Sequence, residues 1–285
     1  MELPPREDHA AIICRTRSRA GVLSYDCDAL KALVQLCFLA VAFAPPGAWA
    51  QDRPFLFSFS SSGWGSGGAL VYYEPGYAER SLDSVACEGL ENRLGLEARF
   101  ARRLSMLSAS SLAGEGDGSL AAFRVEGLYD VAEAQSRRFR LSAGVGYLRE
   151  AEGLSVALGR LVAEGGNEDW RASGNLRLEK PFAEGRDAID VITSIGLSRR
   201  VAAAWGIGFE VVGEDLEALW EAEEAEGGAR LLVGPSLRFG ARGRPLSASL
   251  CGGPVFSIRG NGQTSGAVRS LGTGYAVRVS FAYVF

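Results

Sequence analysis

Along residues 67–285 apolar and polar side chains alternate with a period of two. The last stretch shows it most fully. Tyr275, Val277, Val279, Phe281, Tyr283 and Phe285 fall on one face, and Ala276, Arg278, Ser280, Ala282 and Val284 on the other. Successive side chains of an extended strand leave opposite sides of a sheet, so this period predicts strands. The same alternation sets Leu94, Leu96, Ala98 and Phe100 against Arg93, Gly95, Glu97 and Arg99. It sets Phe139, Leu141, Ala143, Val145 and Tyr147 against Arg138, Arg140, Ser142, Gly144 and Gly146. Val201, Ala203, Trp205, Ile207, Phe209 and Val211 oppose a face holding Gly206, Gly208 and Glu210. Twelve such segments are predicted, at 67–73, 90–101, 103–113, 119–130, 138–149, 153–163, 171–181, 188–198, 201–213, 229–239, 246–258 and 274–285. Most have the length a tilted strand needs to cross a bilayer.

A soluble barrel would bury the apolar face and leave the polar face in water. Here the second face carries glycines and arginines, which make a poor hydrophobic core. The pattern therefore predicts an all-β, transmembrane, antiparallel up-and-down barrel, apolar toward lipid and polar toward the lumen. Long links at 74–89, 214–228 and 259–273 alternate with short ones at 102–103, 199–200 and 240–245, as an even strand number requires. Twelve strands are expected, with 10 or 14 as alternatives, because Phe55, Phe57 and Phe59 alternate with Leu56, Ser58 and Ser60 as a further strand or a tether. Pro235 and Pro254 fall inside predicted strands and each follows a glycine, so local bulges are expected there. The link 164–170 is long for a turn on the short-link side.

Ahead of the barrel, Lys31 precedes the apolar run Ala32–Ala44, Pro45-Pro46-Gly47 breaks it, and Ala48-Trp49-Ala50 follows. This is the layout of a secretory signal peptide, with cleavage expected after Ala50 and Ala48 as the other small residue of the site. The run is too short for a spanning helix, which takes roughly 20 residues. Residues 1–28 carry mixed charges foreign to such a peptide, and an over-extended start is the expected reason. The chain thus divides into a signal region (1–50), a flexible N-terminal segment (51–66) and the barrel (67–285).

The chain ends on an aromatic residue. Phe281, Tyr283 and Phe285 resemble the C-terminal β-signal of bacterial outer membrane β-barrel proteins. The resemblance is to that class and not to one family within it. It implies insertion into the outer membrane by the barrel-assembly machinery, with membrane lipids as the surrounding partner. A monomer is expected.

Composition narrows the chemistry. A net charge of −4 offers no basic footprint for nucleic acid. The only histidine, His9, precedes the cleavage point, so the mature chain lacks the usual neutral-pH base and the commonest metal ligand. The carboxylates follow no catalytic spacing, and Gly63-Trp64-Gly65-Ser66-Gly67-Gly68 lacks the Gly-Lys-Ser/Thr of a phosphate loop. No enzyme activity, cofactor or metal is expected. Of five cysteines only Cys87 and Cys251 lie beyond the cleavage point, and their parity opposes a disulfide between them.

The charges of lumen parity remain as candidate functional residues. They are Arg93, Arg99, Arg124, Arg138, Arg140, Arg177, Arg230, Arg238 and Arg278, opposed by Glu97, Glu126, Glu179, Asp190 and Glu210. Such residues either stiffen a closed barrel through ion pairs or form an anion-preferring pore. Glu214 to Glu226 is strongly acidic, with Leu216, Leu219 and Trp220 at helical spacing; it reads as a solvated loop, a short helix over the pore mouth, or a cation site. Two functions follow: a small passive, porin-like channel, anion-preferring where the lumen arginines govern it, or a closed structural barrel whose extracellular loops bind partners.

Overall fold

The computed structural model describes residues 53–59, 68–79, 89–115, 118–134, 139–150, 153–167, 169–182, 189–216, 229–240, 244–259 and 269–285. It is a closed barrel of twelve strands, each hydrogen-bonded to its sequence neighbours, with the first pairing the last. The strands are β1 (Gly68–Ala78), β2 (Gly89–Ala101), β3 (Leu104–Glu115), β4 (Gly118–Ala134), β5 (Phe139–Glu150) and β6 (Ser155–Gly166). They continue as β7 (Trp170–Pro181), β8 (Asp190–Arg200), β9 (Trp205–Glu214), β10 (Ala229–Phe239), β11 (Leu246–Arg259) and β12 (Arg269–Val284). All pairings are antiparallel, and closure satisfies the edges that an open sheet would leave unpaired.

The outer wall is what the alternation demands. Val145 is 76% exposed and Ile195 62%, values that suit a hydrocarbon solvent and not water. The ends of the strands that carry the shorter links bear a girdle of exposed aromatics: Phe100, Tyr129, Phe139, Trp170, Trp205, Phe239 and Tyr283. Trp205 and Phe239 meet edge to face at 5.0 Å, and the Arg199 guanidinium lies 5.1 Å from the Trp170 ring. Aromatics of this kind place an apolar body in lipid and a polar edge in the interface.

Several local expectations change. The prolines make no bulges. Register is constant from Leu232↔Val255 to Ser236↔Cys251, and Pro235 and Pro254 share the gap between these pairs in the β10–β11 ladder. Each keeps its pairing on the opposite side, Pro235 with Phe209 and Pro254 with Tyr275. Placing two donor-less residues across one seam confines the lost hydrogen bonds to a single gap. Pro75 does the same in the β1–β12 ladder, which is why β1 runs on to Ala78 instead of ending near residue 73. The register shifts lie elsewhere, at Arg99/Ala101, Asp130/Ala132 and Ser257/Ile258. Val201 and Ala203, read as strand, belong to the turn before Trp205. The seemingly long 164–170 link is short, because β6 reaches Gly166 and the Asn167 side-chain oxygen accepts the N–H groups of Asp169 and Trp170 at 2.9 and 2.8 Å.

The C-terminal residues close the barrel. The Phe285 N–H donates to the Ala69 carbonyl at 2.9 Å, next to the Leu70↔Val284 pair. Phe285 packs on the outside against Ala69, Leu96 and Ala98, and its ring meets that of Tyr283 edge-on at 5.0 Å.

Candidate functional site

The lumen is not empty. Residues 53–59, described here as irregular chain and not as a strand, lie inside the barrel. This is the described part of the segment expected to be flexible. Its backbone is held at three places. The Glu210 carboxylate of β9 accepts three successive N–H groups, from Leu56 at 2.9 Å and from Phe57 and Ser58 at 2.8 Å each. The Phe59 carbonyl accepts from Ser173 Oγ and, at 3.0 Å, from Asn175 Nδ2, both on β7. The Arg53 carbonyl accepts from Ser249 Oγ of β11 at 2.9 Å.

Its side chains are held as firmly. The Arg53 guanidinium pairs with Glu74 of β1, lies 3.3 Å from Glu97 of β2, and stacks 3.9 Å from the Tyr72 ring centroid. Phe57 packs against lumen-facing Val212, Leu232, Val255 and Ala276, with the Arg278 guanidinium 4.9 Å from its ring. Phe59 packs against Leu107, Leu128 and Val162, with Arg160 at 5.8 Å. Phe55 fills the space left by Gly196: a Cβ there would lie 2.5 Å from the ring.

Around this segment the candidate charges form local clusters. Glu126 receives Arg160 through two bonds, at 2.6 and 2.8 Å, and Arg124 at 3.4 Å. Glu91 bridges Arg93 at 2.9 Å and Arg278 at 2.7 Å. Arg177 pairs with Glu179 at 2.7 Å. Nearer the short-link end, Asp130 takes Arg99 at 2.7 Å, Ser142 Oγ at 2.7 Å and Arg140 at 3.5 Å, while Arg140 also reaches Glu133 at 3.4 Å. Arg238 is buried on the lumen face of β10, beside the Gly206 backbone it pairs with on β9. Arg230 is paired in register with Glu214, and Asp190 with Glu179. Arg138 lies outside the described residues, as do Cys87, Ala48, Ala50 and residues 217–228. Cys251 is a free thiol buried in the lumen wall.

Sequence reading missed several partners. Arg160 was hidden because β6 is apolar on both faces: Val156, Leu158 and Val162 face inward while Ala157, Leu161 and Ala163 face outward. Glu74 and Glu91 fell in a presumed loop or at its edge, and Asp130 ended a predicted strand; all three are buried inside. The broad arginine excess expected of the lumen is therefore offset by these acids, and what remains is local. Between the N-terminal segment and the loop ends of β1 and β2 lies a cavity of about 80 Å³. Arg53, Arg93, Arg124, Arg160, Arg177 and Arg278 line it, with Glu91 the one acidic residue among the described lining residues. Glu126 and Glu179 stand behind the arginines they anchor.

No protein-family model matches the sequence, and no curated protein matches it. Solved structures do match the fold. The KdgM porin in complex with disordered oligogalacturonate is similar at a TM-score of 0.54 and 12% identity, over 76% of this chain and 99% of that one. The NanC porin is similar at a TM-score of 0.50 and 9% identity, over 75% of this chain and 98% of that one. At these identities the likeness is one of fold: this chain has the closed antiparallel barrel architecture that those porins also have.

Proposed function

We propose that the protein is an outer membrane channel for small anionic solutes. One observation carries the reading: six arginines line the cavity on the loop side of the lumen, and the acids that anchor two of the clusters stand behind them. Arginine rings of this kind favour anions, and guanidinium groups grip carboxylates and phosphates through paired N–H donors. The oligogalacturonate solved with the KdgM porin is a carboxylate-bearing ligand of the kind such a vestibule suits. The apolar outer wall, the aromatic girdle and the seam-closing Phe285 support the membrane setting. In it, Phe281, Tyr283 and Phe285 act as the assembly signal, and residues 1–50 as the export signal. The monomer is proposed as the working unit.

The occupied lumen favours a second reading, a closed barrel with a structural or surface role. Planar-bilayer recording of protein purified from membranes separates the two. A channel gives conductance and, in a salt gradient, a reversal potential of anion sign. Arg124→Glu with Arg177→Glu should move that potential toward cations. The effect should fade between 0.1 and 1 M salt as the screening length falls from about 10 to about 3 Å. Cation selectivity of the unaltered protein would refute the arginine argument, and absence of conductance would favour the closed barrel.

A further inference from the structure

We infer that the lumen is a peptide-binding site whose resident ligand is the chain's own segment 53–59, and that this ligand holds the channel closed. The inference rests on the channel reading above and deepens it.

The wall is built for this occupant in ways a water-filled pore would not need. Val212, Leu232 and Val255 face inward at one place and Leu107, Leu128 and Val162 at another, against the polar-inward rule for such barrels. Each apolar patch lies under one phenylalanine of the segment. Gly196 leaves the hollow that Phe55 fills. Glu210, with no exposed surface, accepts three backbone N–H groups of residues more than 150 positions away. A buried carboxylate is costly unless it is paired or hydrogen-bonded, and the bend over Leu56, Phe57 and Ser58 turns three successive N–H groups onto it. The contacts come from β1, β2, β7, β9 and β11, so the segment bridges the lumen from wall to wall. The ligand chemistry is a short peptide, bent at its centre, with a cationic residue followed by aromatics at every second position. Its cation enters the Glu74–Glu97 pair and its backbone meets Glu210.

Three forms of the full chain, purified from membranes and checked for heat-sensitive gel mobility, test this in planar bilayers. The unaltered protein should conduct weakly or in rare openings. Phe57→Ser with Phe59→Ser, which weakens the ligand, should raise mean conductance at least threefold, and a synthetic peptide of sequence QDRPFLFSFS should restore the closed level in a saturable way. Gly196→Leu, which blocks the Phe55 hollow, should also open the channel but should not be reclosed by the peptide. Mild urea provides a test without substitution: mean conductance of the unaltered protein should rise reversibly below the concentration that unfolds the barrel, since locally held segments release first. Equal conductance in all forms, with no urea response, overturns this inference and leaves the channel reading intact. Failure of the peptide to reclose the Phe57/Phe59 variant overturns the binding site. No conductance in any form overturns the channel reading and this inference together.

Discussion

Replacing Glu126 by Gln should destabilise the barrel more than most single changes to its lumen. Glu126 is 1% exposed and holds Arg160 through two bonds at 2.6 and 2.8 Å, with Arg124 at 3.4 Å. Glutamine keeps the shape and one acceptor oxygen but removes the charge that two guanidinium groups share. At an effective dielectric of about 20, two unit charges near 4 Å attract by about 4 kcal/mol. Removing one partner of a buried pair costs about 3–5 kcal/mol, because the other charge stays buried. A loss of at least about 3 kcal/mol, the low end of that range, is expected. Heat-induced loss of the compact gel form should then begin roughly 6–12 °C lower, taking about 2–4 °C per kcal/mol for a chain of this size. The double variant Glu126→Gln with Arg160→Met removes both charges and should recover about 2 kcal/mol relative to the sum of the single changes. A shift under about 2 °C for Glu126→Gln, or strict additivity in the double variant, would refute the claim that this pair is a buried, coupled unit.

Three further outcomes follow from the same geometry. Phe285→Asp should lower the amount of membrane-inserted protein more than Val284→Asp, because Phe285 closes the seam on the lipid side whereas Val284 packs inside with Leu70 and Tyr72; equal inserted amounts would count against a recognised C-terminal signal. Gly95→Val should cost about 1–3 kcal/mol in urea unfolding, because a Cβ at that position would enter the Tyr72 ring; an unchanged midpoint would show that Tyr72 is free to move. In a Cys87→Ser background, Cys251 should resist a bulky maleimide until the barrel is unfolded, since the thiol is wholly buried in the lumen wall; rapid labelling of the folded form would place it elsewhere.

The barrel was legible in the sequence because strand facing is a local property. Each residue of Tyr275 to Phe285 declares its side by its own polarity, and a period of two needs no distant partner to be read. The same reasoning put Arg93, Glu97, Arg99, Arg140, Glu210 and Arg278 on the lumen face, where they lie. The signal weakened where both faces are apolar, as in β6, and Arg160 was lost with it. Proline misled because its cost depends on which neighbouring strand needs the missing donor, and that is decided across the seam, as Pro235 and Pro254 show. Segment 53–59 was beyond reach for a deeper reason. Its alternating phenylalanines look like a strand or a tether, and nothing nearby in the chain says what they pack against. Their sockets on β3, β4, β6, β9, β10, β11 and β12 come together only when β1 pairs with β12 and the wall closes. The sequence by itself determined where the twelve strands run, though not their ends, and which side of most of them faces outward, because those follow from local periodicity. Only the closed tertiary structure decided which arginine rests on which acid, and that the chain's own N-terminal segment occupies the lumen, because those contacts join residues far apart in sequence.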